Sequence, residues 1–212
     1  MRMRKKKNLI PRMQAASAVL VSEPEALRGR WLTEPFSEVH VELGCGKGTF
    51  TAGTAEAEPS ALLVAVERVP DAMVMAMEKA VARKLPNVRF IDMDAARLGE
   101  VFALGEVSRI YINFCDPWPG SRHAKRRLTA PSFLRLYAEA LAPGGEIRFK
   151  TDNLPLFDWS LETFEAEGWD VSEVTRDLHA DGPRGIMTDY EAKFYAEGKP
   201  ICRCVARKKA SE

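Results

Sequence analysis

Val41-Glu42-Leu43-Gly44-Cys45-Gly46-Lys47-Gly48, written VELGCGKG, is the run from which the rest of the chain can be read. Val39, Val41 and Leu43 make a short strand with an acid inside it. The glycines that follow let the backbone take positive φ and approach a ligand closely. Phe50 to Ala57 then reads as a helix, and Ala61 to Val66 (ALLVAV) is an unbroken apolar run, as expected of a strand buried on both faces. Strand, glycine turn, helix and buried strand in that order form a βαβ unit.

The same alternation continues downstream. Pro70 suits a first helical turn, and Ala72, Met75, Ala76, Lys79, Ala80 and Arg83 keep helical spacing until Pro86. Val88 to Ile91 is a third strand, followed by a short helix around Ala95 to Leu98. Arg109 to Phe114 is a fourth strand, and Pro131 to Leu141 a helix stopped by Pro143, Gly144 and Gly145. Glu146 to Lys150 is a fifth strand. Asn153 to Glu167 is helical, with Phe157, Leu161 and Phe164 on one stripe. Trp169 to Val174 and Ile201 to Ala206 complete the strands, with a loop and a short helix between them. The expected fold class is α/β: one Rossmann-like domain over residues 31–212, with a mostly parallel seven-stranded sheet and helices on both faces. Residues 1–30 carry no periodic pattern and read as a basic, partly mobile N-terminal arm.

At 212 residues, 29 % charged and 46 % hydrophobic, the composition is that of an ordinary soluble domain. The net charge of +1 leaves any nucleic-acid binding to local patches. Such patches exist: Arg2, Arg4, Lys5, Lys6, Lys7 and Arg12 near the start, and Arg203, Arg207, Lys208 and Lys209 near the end. Cys45, Cys115, Cys202 and Cys204 form no C-x-x-C pair, so reduced thiols, no metal and a cytoplasmic protein are expected. No stretch is apolar for long enough to span a bilayer, so no membrane partner is expected.

Three acids fall at the C-terminal ends of successive strands: Glu42, Glu67 and Asp94. A dinucleotide site would use G-x-G-x-x-G, but here the third glycine comes one place early, at Gly48. A carboxylate facing the turn at Glu42 repels pyrophosphate and attracts an ammonium or sulfonium group. Glu67, roughly twenty residues after the turn, stands where an acid holds ribose hydroxyls. Asp94 ends the third strand, beside where an adenine would lie. Together with Gly44 and Gly46 these point to S-adenosylmethionine as cofactor, with a nicotinamide cofactor as the alternative.

The fourth strand leads into Asp116-Pro117-Trp118-Pro119 and then Arg122, His123, Lys125, Arg126 and Arg127. Two prolines hold the carboxylate and indole on a stiff loop at the sheet edge where open α/β folds bind ligands. A carboxylate, an aromatic ring and a basic run suit a base presented by a phosphate-rich polymer. Trp118 either stacks on the base or buttresses the loop.

These pieces resemble the bacterial tRNA (guanine-N7-)-methyltransferases of the TrmB type. Shared are E-L-G-C-G-x-G, D-P-W-P with R-H-x-K-R-R-L, Phe149-Lys150-Thr151-Asp152-Asn153, and Thr188-Asp189-Tyr190-Glu191, in order from about Val39 to Val205. The resemblance implies methylation of guanine N7 in the tRNA variable loop. It implies that Glu42, Glu67, Asp94 and Asp116 line the cofactor pocket, with Asp116 also at the reacting centre; the glycine turn adds Gly44 and Gly46 as expected cofactor contacts. It implies that Asp152, Thr188, Asp189, Tyr190 and Glu191 contact tRNA, and Arg122, Lys125, Arg126 and Arg127 are the expected phosphate contacts. Thr188 and Glu191 are also spaced as a helix capping box. The chain departs from the family at Gly120 and Ser121, where lysines are usual and the first contacts substrate. A non-catalytic RNA-binding protein is a further alternative, and monomer and homodimer are both open.

Overall fold

A computed structural model of the chain describes residues 7–208; Arg2, Arg4, Lys5, Lys6 and Lys209 of the terminal basic patches lie outside them. Seven strands form one sheet: β1 (Glu38–Leu43), β2 (Ala61–Val66), β3 (Val88–Ile91), β4 (Val107–Asn113), β5 (Leu141–Thr151), β6 (Trp169–Thr175) and β7 (Cys202–Lys208). Their order is β3-β2-β1-β4-β5-β7-β6. The first five pair in parallel, while β7 runs antiparallel to both β5 and β6.

The helices are α1 (Leu9–Ala15), α2 (Thr49–Ala57), α3 (Pro70–Ala82), α4 (Leu98–Val101), α5 (Pro131–Ala140), α6 (Leu154–Ala166) and α7 (Asp189–Ala196). Alternating strand residues divide the apolar core in two. Val39, Val41, Ile110, Ile112, Ile147 and Phe149 pack against α4, α5 and α6. Leu63, Ala65, Phe90 and Tyr111 pack against α2 and α3 through Phe50, Met73 and Met77. These side chains are essentially removed from water, each contributing roughly 1.5–3 kcal/mol for a full-sized aliphatic or aromatic group.

Two regions depart from the sequence expectation. β5 begins five residues earlier than its apolar pattern, at Leu141, because Leu141 pairs with Val107 across an irregularity that absorbs Pro143, Gly144 and Gly145. Residues 9–27, which show no period, nonetheless hold α1 and two short 3₁₀ turns. Leu20 bridges Phe90 on the β3 edge, and Arg12 pairs with Glu78 of α3 at 2.6 Å.

Glycine 48 shows why the turn after β1 closes so sharply. Its φ is +73°, and a Cβ there would lie 2.5 Å from the Cβ of Ala76. The third glycine therefore serves the close approach of α2 to α3. No helix among the described residues is long and apolar enough to cross a membrane.

Candidate active site at the C-terminal edge of the sheet

Glu42, Glu67 and Asp94 lie along the C-terminal edge of the parallel strands, and Asp116 follows β4 on the same edge. Glu42 on β1 is 1 % exposed. Thr51 Oγ1 donates to its Oε2 at 2.5 Å, and Asn113 Nδ2 donates to its Oε1 at 3.4 Å. Burial dominates the balance and pushes its pKa from 4.5 up to about 7, against the two hydrogen bonds and the nearby Lys150 charge. Beside it, Asn113 Oδ1 is buried with no hydrogen-bond partner.

Glu67, at the end of β2, closes the glycine turn. Its Oε2 accepts from the Gly46 N–H, and its Oε1 from the N–H groups of Arg68 and Val69, each at 2.9 Å. Gly44 (φ +80°) and Gly46 (φ +56°) have no neighbouring atom within 4 Å of where a Cβ would stand. The turn is thus an open cradle floored by backbone. Asp94, after β3, caps a 3₁₀ turn by accepting from Ala96 N–H at 3.0 Å, and pairs with Arg68 at 2.7 Å. These features fit a nucleoside carrying an ammonium group: an open glycine cradle, a buried carboxylate, an unpartnered carbonyl oxygen beside it, and acids on the next two strands.

Asp116 is exposed on the loop after β4, the strand next to β1 in the sheet. The loop is strained at two non-glycine residues, Phe114 (φ +53°) and Trp118 (φ +42°). Left-handed backbone costs roughly 1–2 kcal/mol at each such residue. Three hydrogen bonds and a cation–π contact hold it. Phe114 N–H donates to Lys150 O at 2.9 Å. Arg127 donates to the carbonyls of Pro117 and Trp118 at 3.1 and 3.3 Å, and its guanidinium lies 4.3 Å from the Trp159 ring centre.

Arg127 is therefore half-buried with two of its donors engaged by the loop, whereas the structure leaves Arg122, Lys125 and Arg126 exposed on the 3₁₀ segment Ser121–Arg126. The Arg126 guanidinium also lies 4.9 Å from the Trp118 ring centre, so the indole serves the loop's own packing. Gly120 has φ +90° with open space around it.

The remaining expected residues gather on the other side of that loop. Thr151 Oγ1 accepts from Asn153 N–H and Asn153 caps α6 through Leu156 N–H, a turn that leaves Asp152 exposed. The capping box is present: Thr188 Oγ1 accepts from Glu191 N–H at 3.0 Å, and Thr188 N–H donates to Glu191 Oε2 at 3.2 Å. Thr188 and the exposed Asp189 and Tyr190 stay within reach of a macromolecular ligand. Glu191 is different: its residue is wholly buried, and its carboxylate accepts from Lys150 and His179 as well as from Thr188. In this structure its carboxylate is engaged by Lys150, His179 and the capping box.

Thr51, Asn113, Lys150 and His179 belong to the site but escape sequence reading. Lys150 sits inside a quoted motif, yet nothing local says that its ammonium is turned inward. A polar cavity of about 290 Å³ lies at the opposite edge of the sheet, lined by residues that include Glu38, Arg109, Glu146 and Arg207, and it contains none of these site residues. The four cysteines are free, and the described residues hold no group of three or more acids, histidines or cysteines that could bind a metal.

A family profile described as "Putative methyltransferase" matches residues 37–204. A tRNA (guanine-N(7)-)-methyltransferase of Listeria innocua is 42 % identical over 200 residues, covering 92 % of this chain and 93 % of that one. One from an Exiguobacterium species is 43 % identical over 210 residues, covering 97 % of each. Among solved structures, the 16S rRNA methyltransferase KamB superposes with a TM-score of 0.65 at 20 % identity, covering 90 % of this chain and 94 % of that one, which is a likeness of fold. With that length of similarity, the chain belongs to the tRNA (guanine-N(7)-)-methyltransferase family.

Proposed function

We propose that the protein transfers a methyl group from S-adenosylmethionine to N7 of a guanine in the tRNA variable loop. The observation that carries this reading is the placement of Asp116 on the loop that follows β4, the strand next to β1 and its glycine cradle, in a chain belonging to a family named for this chemistry. S-adenosylmethionine supplies an electrophilic methyl on a sulfonium. Glu42, ionised, would accept from the cofactor ammonium, with Asn113 Oδ1 as a second acceptor. Gly44 and Gly46 would let the backbone pass close beneath, Glu67 would hold the ribose hydroxyls and Asp94 would stand beside the adenine.

Guanine N7 already carries an in-plane lone pair, so no base must first remove a proton. The residues' work is to desolvate that pair and align it, catalysis chiefly by positioning. Asp116 accepts from guanine N1–H or the N2 amine and so orients N7. Methylation leaves a positive charge on the guanine ring, so the same carboxylate binds the developing cation more tightly than the substrate. Asp152, Thr188, Asp189 and Tyr190 position the tRNA, and Arg122, Lys125 and Arg126 neutralise phosphates. Arg127 acts indirectly, by fixing the loop that carries Asp116.

The test is methyl transfer from labelled S-adenosylmethionine to unmodified tRNA, with the product mapped by aniline cleavage at N7-methylguanine. Cleavage at a single variable-loop guanine is expected. Label without that cleavage refutes the position, and cofactor binding without label refutes the enzyme reading in favour of a binding protein.

A further inference from the structure

Glu42, Asn113 and Lys150 stand near the ends of β1, β4 and β5, and Asn113 is the direct register partner of Lys150. Lys150 is 8 % exposed. Its Nζ donates to Glu191 Oε2 at 2.6 Å and to Ile186 O at 3.1 Å, and lies 5.0 Å from the Phe50 ring centre of α2. Burial lowers its pKa, while the carboxylates of Glu191 and Glu42 act in the opposite sense. One buried ammonium thus touches the helix that opens the cofactor cradle and the helix that presents Thr188–Tyr190.

Glu191 is gripped from the far side as well. His179 Nδ1 accepts from Arg184 N–H at 3.1 Å, which leaves the proton of a neutral ring on Nε2, 3.1 Å from Glu191 Oε1. A second tie runs parallel to the first: Thr49 Oγ1, one residue past Gly48, donates to Asp189 Oδ2 at 2.8 Å. The start of α7 is therefore tethered to the start of α2 above, and to β5 below.

We propose that Lys150 is a positioning residue for methyl transfer: by holding Glu191 it sets where Thr188, Asp189 and Tyr190 stand relative to the glycine cradle, and so where the guanine meets the methyl donor. The inference rests on the functional reading above, in which those three residues face tRNA and the cradle holds the cofactor. A pair that served only stability would be replaceable by neutral groups without kinetic consequence. A positioning tether would not, because a displacement of the substrate by about 1 Å is enough to cost on the order of 100-fold in rate.

The experiment compares wild type, Lys150→Met, and the double variant Lys150→Met/Glu191→Gln by thermal melting, calorimetric affinity for S-adenosylmethionine, and steady-state kinetics on unmodified tRNA. Lys150→Met strands a buried carboxylate and is expected to melt early. The double variant removes that charge and is expected to recover most of the melting temperature and to bind the cofactor within roughly threefold of wild type. Its kcat/KM for tRNA is expected to stay down by roughly 30-fold or more. Recovered melting together with wild-type kcat/KM overturns the proposal. So does a kinetic loss matched by an equal loss of cofactor affinity, which would place the effect in the cradle. A wild-type protein that binds the cofactor yet methylates no tRNA refutes the functional reading itself, and the tether's role with it.

Discussion

Replacing Glu42 by Gln should stabilise the cofactor-free protein, and by an amount that depends on pH. In the fold the carboxyl group titrates near 7 rather than 4.5, because burial outweighs the hydrogen bonds from Thr51 and Asn113. At 1.36 kcal/mol per pH unit, that displacement corresponds to about 3 kcal/mol. The folded state holds the proton more tightly than the unfolded state. The stability it confers is complete below pH 4.5 and is lost as pH rises through 7. Glutamine carries no such charge, and its amide brings a donor beside Asn113 Oδ1, which is buried without a partner. The variant should match wild type near pH 4.5 and exceed it by about 3 kcal/mol at pH 8, roughly 6–12 °C in melting temperature for a chain of this length. Urea denaturation across pH 5–8.5 reads this directly. Parallel pH–stability curves for the two proteins would refute the reasoning. The same substitution should weaken S-adenosylmethionine binding, so that stability and function pull apart at one side chain.

Asp116→Ala should lower turnover by roughly 100-fold or more while leaving the melting temperature within about 2 °C, since the side chain is exposed and lies at the proposed reacting centre. Near-normal turnover would remove Asp116 from that role. Arg122→Ala and Lys125→Ala should each reduce the salt dependence of tRNA affinity by about one phosphate contact, measured as the slope of log affinity against log salt. Arg127→Ala should instead lower kcat/KM with little change in that slope, because its guanidinium is turned onto the carbonyls of Pro117 and Trp118. Gly48→Ala should cost roughly 2–4 kcal/mol in urea denaturation, from a left-handed backbone and a forced separation of α2 from α3 at Ala76.

Local chemistry made much of this legible. The apolar runs of β2 and β3 sit where the sequence puts them, and the glycine turn and strand-end acids follow from chain order in an alternating α/β pattern. What escaped depends on distant partners. The start of β5 is hidden behind Pro143 to Gly145, residues that elsewhere end a strand, and is revealed only by pairing with Val107. Arg127 lies within a basic run and reads as a phosphate ligand until the carbonyls and indole around it are seen. Lys150 and Glu191 are 41 residues apart, and neither carries a local sign that the other exists. Glu191 itself was legible in both senses, as a motif acid and as the fourth residue of a capping box, and the capping box is present in the fold.

The position of β7 has a consequence for assembly. In the sheet β6 has no strand neighbour except β7, although it precedes β7 in the chain. While the polypeptide is being made, β6 therefore emerges without a ladder to join, and β5 presents an unpaired edge that could recruit a stray strand. Strands β1 to β4, with the glycine cradle and Asp116, can pair before then. The half proposed to seat tRNA can complete its ladder only when Cys202–Lys208 slots between β5 and β6, aligning Cys202 with Thr151 and Arg203 with Lys150. Nascent protein should accordingly acquire cofactor binding before it acquires a fixed seat for RNA.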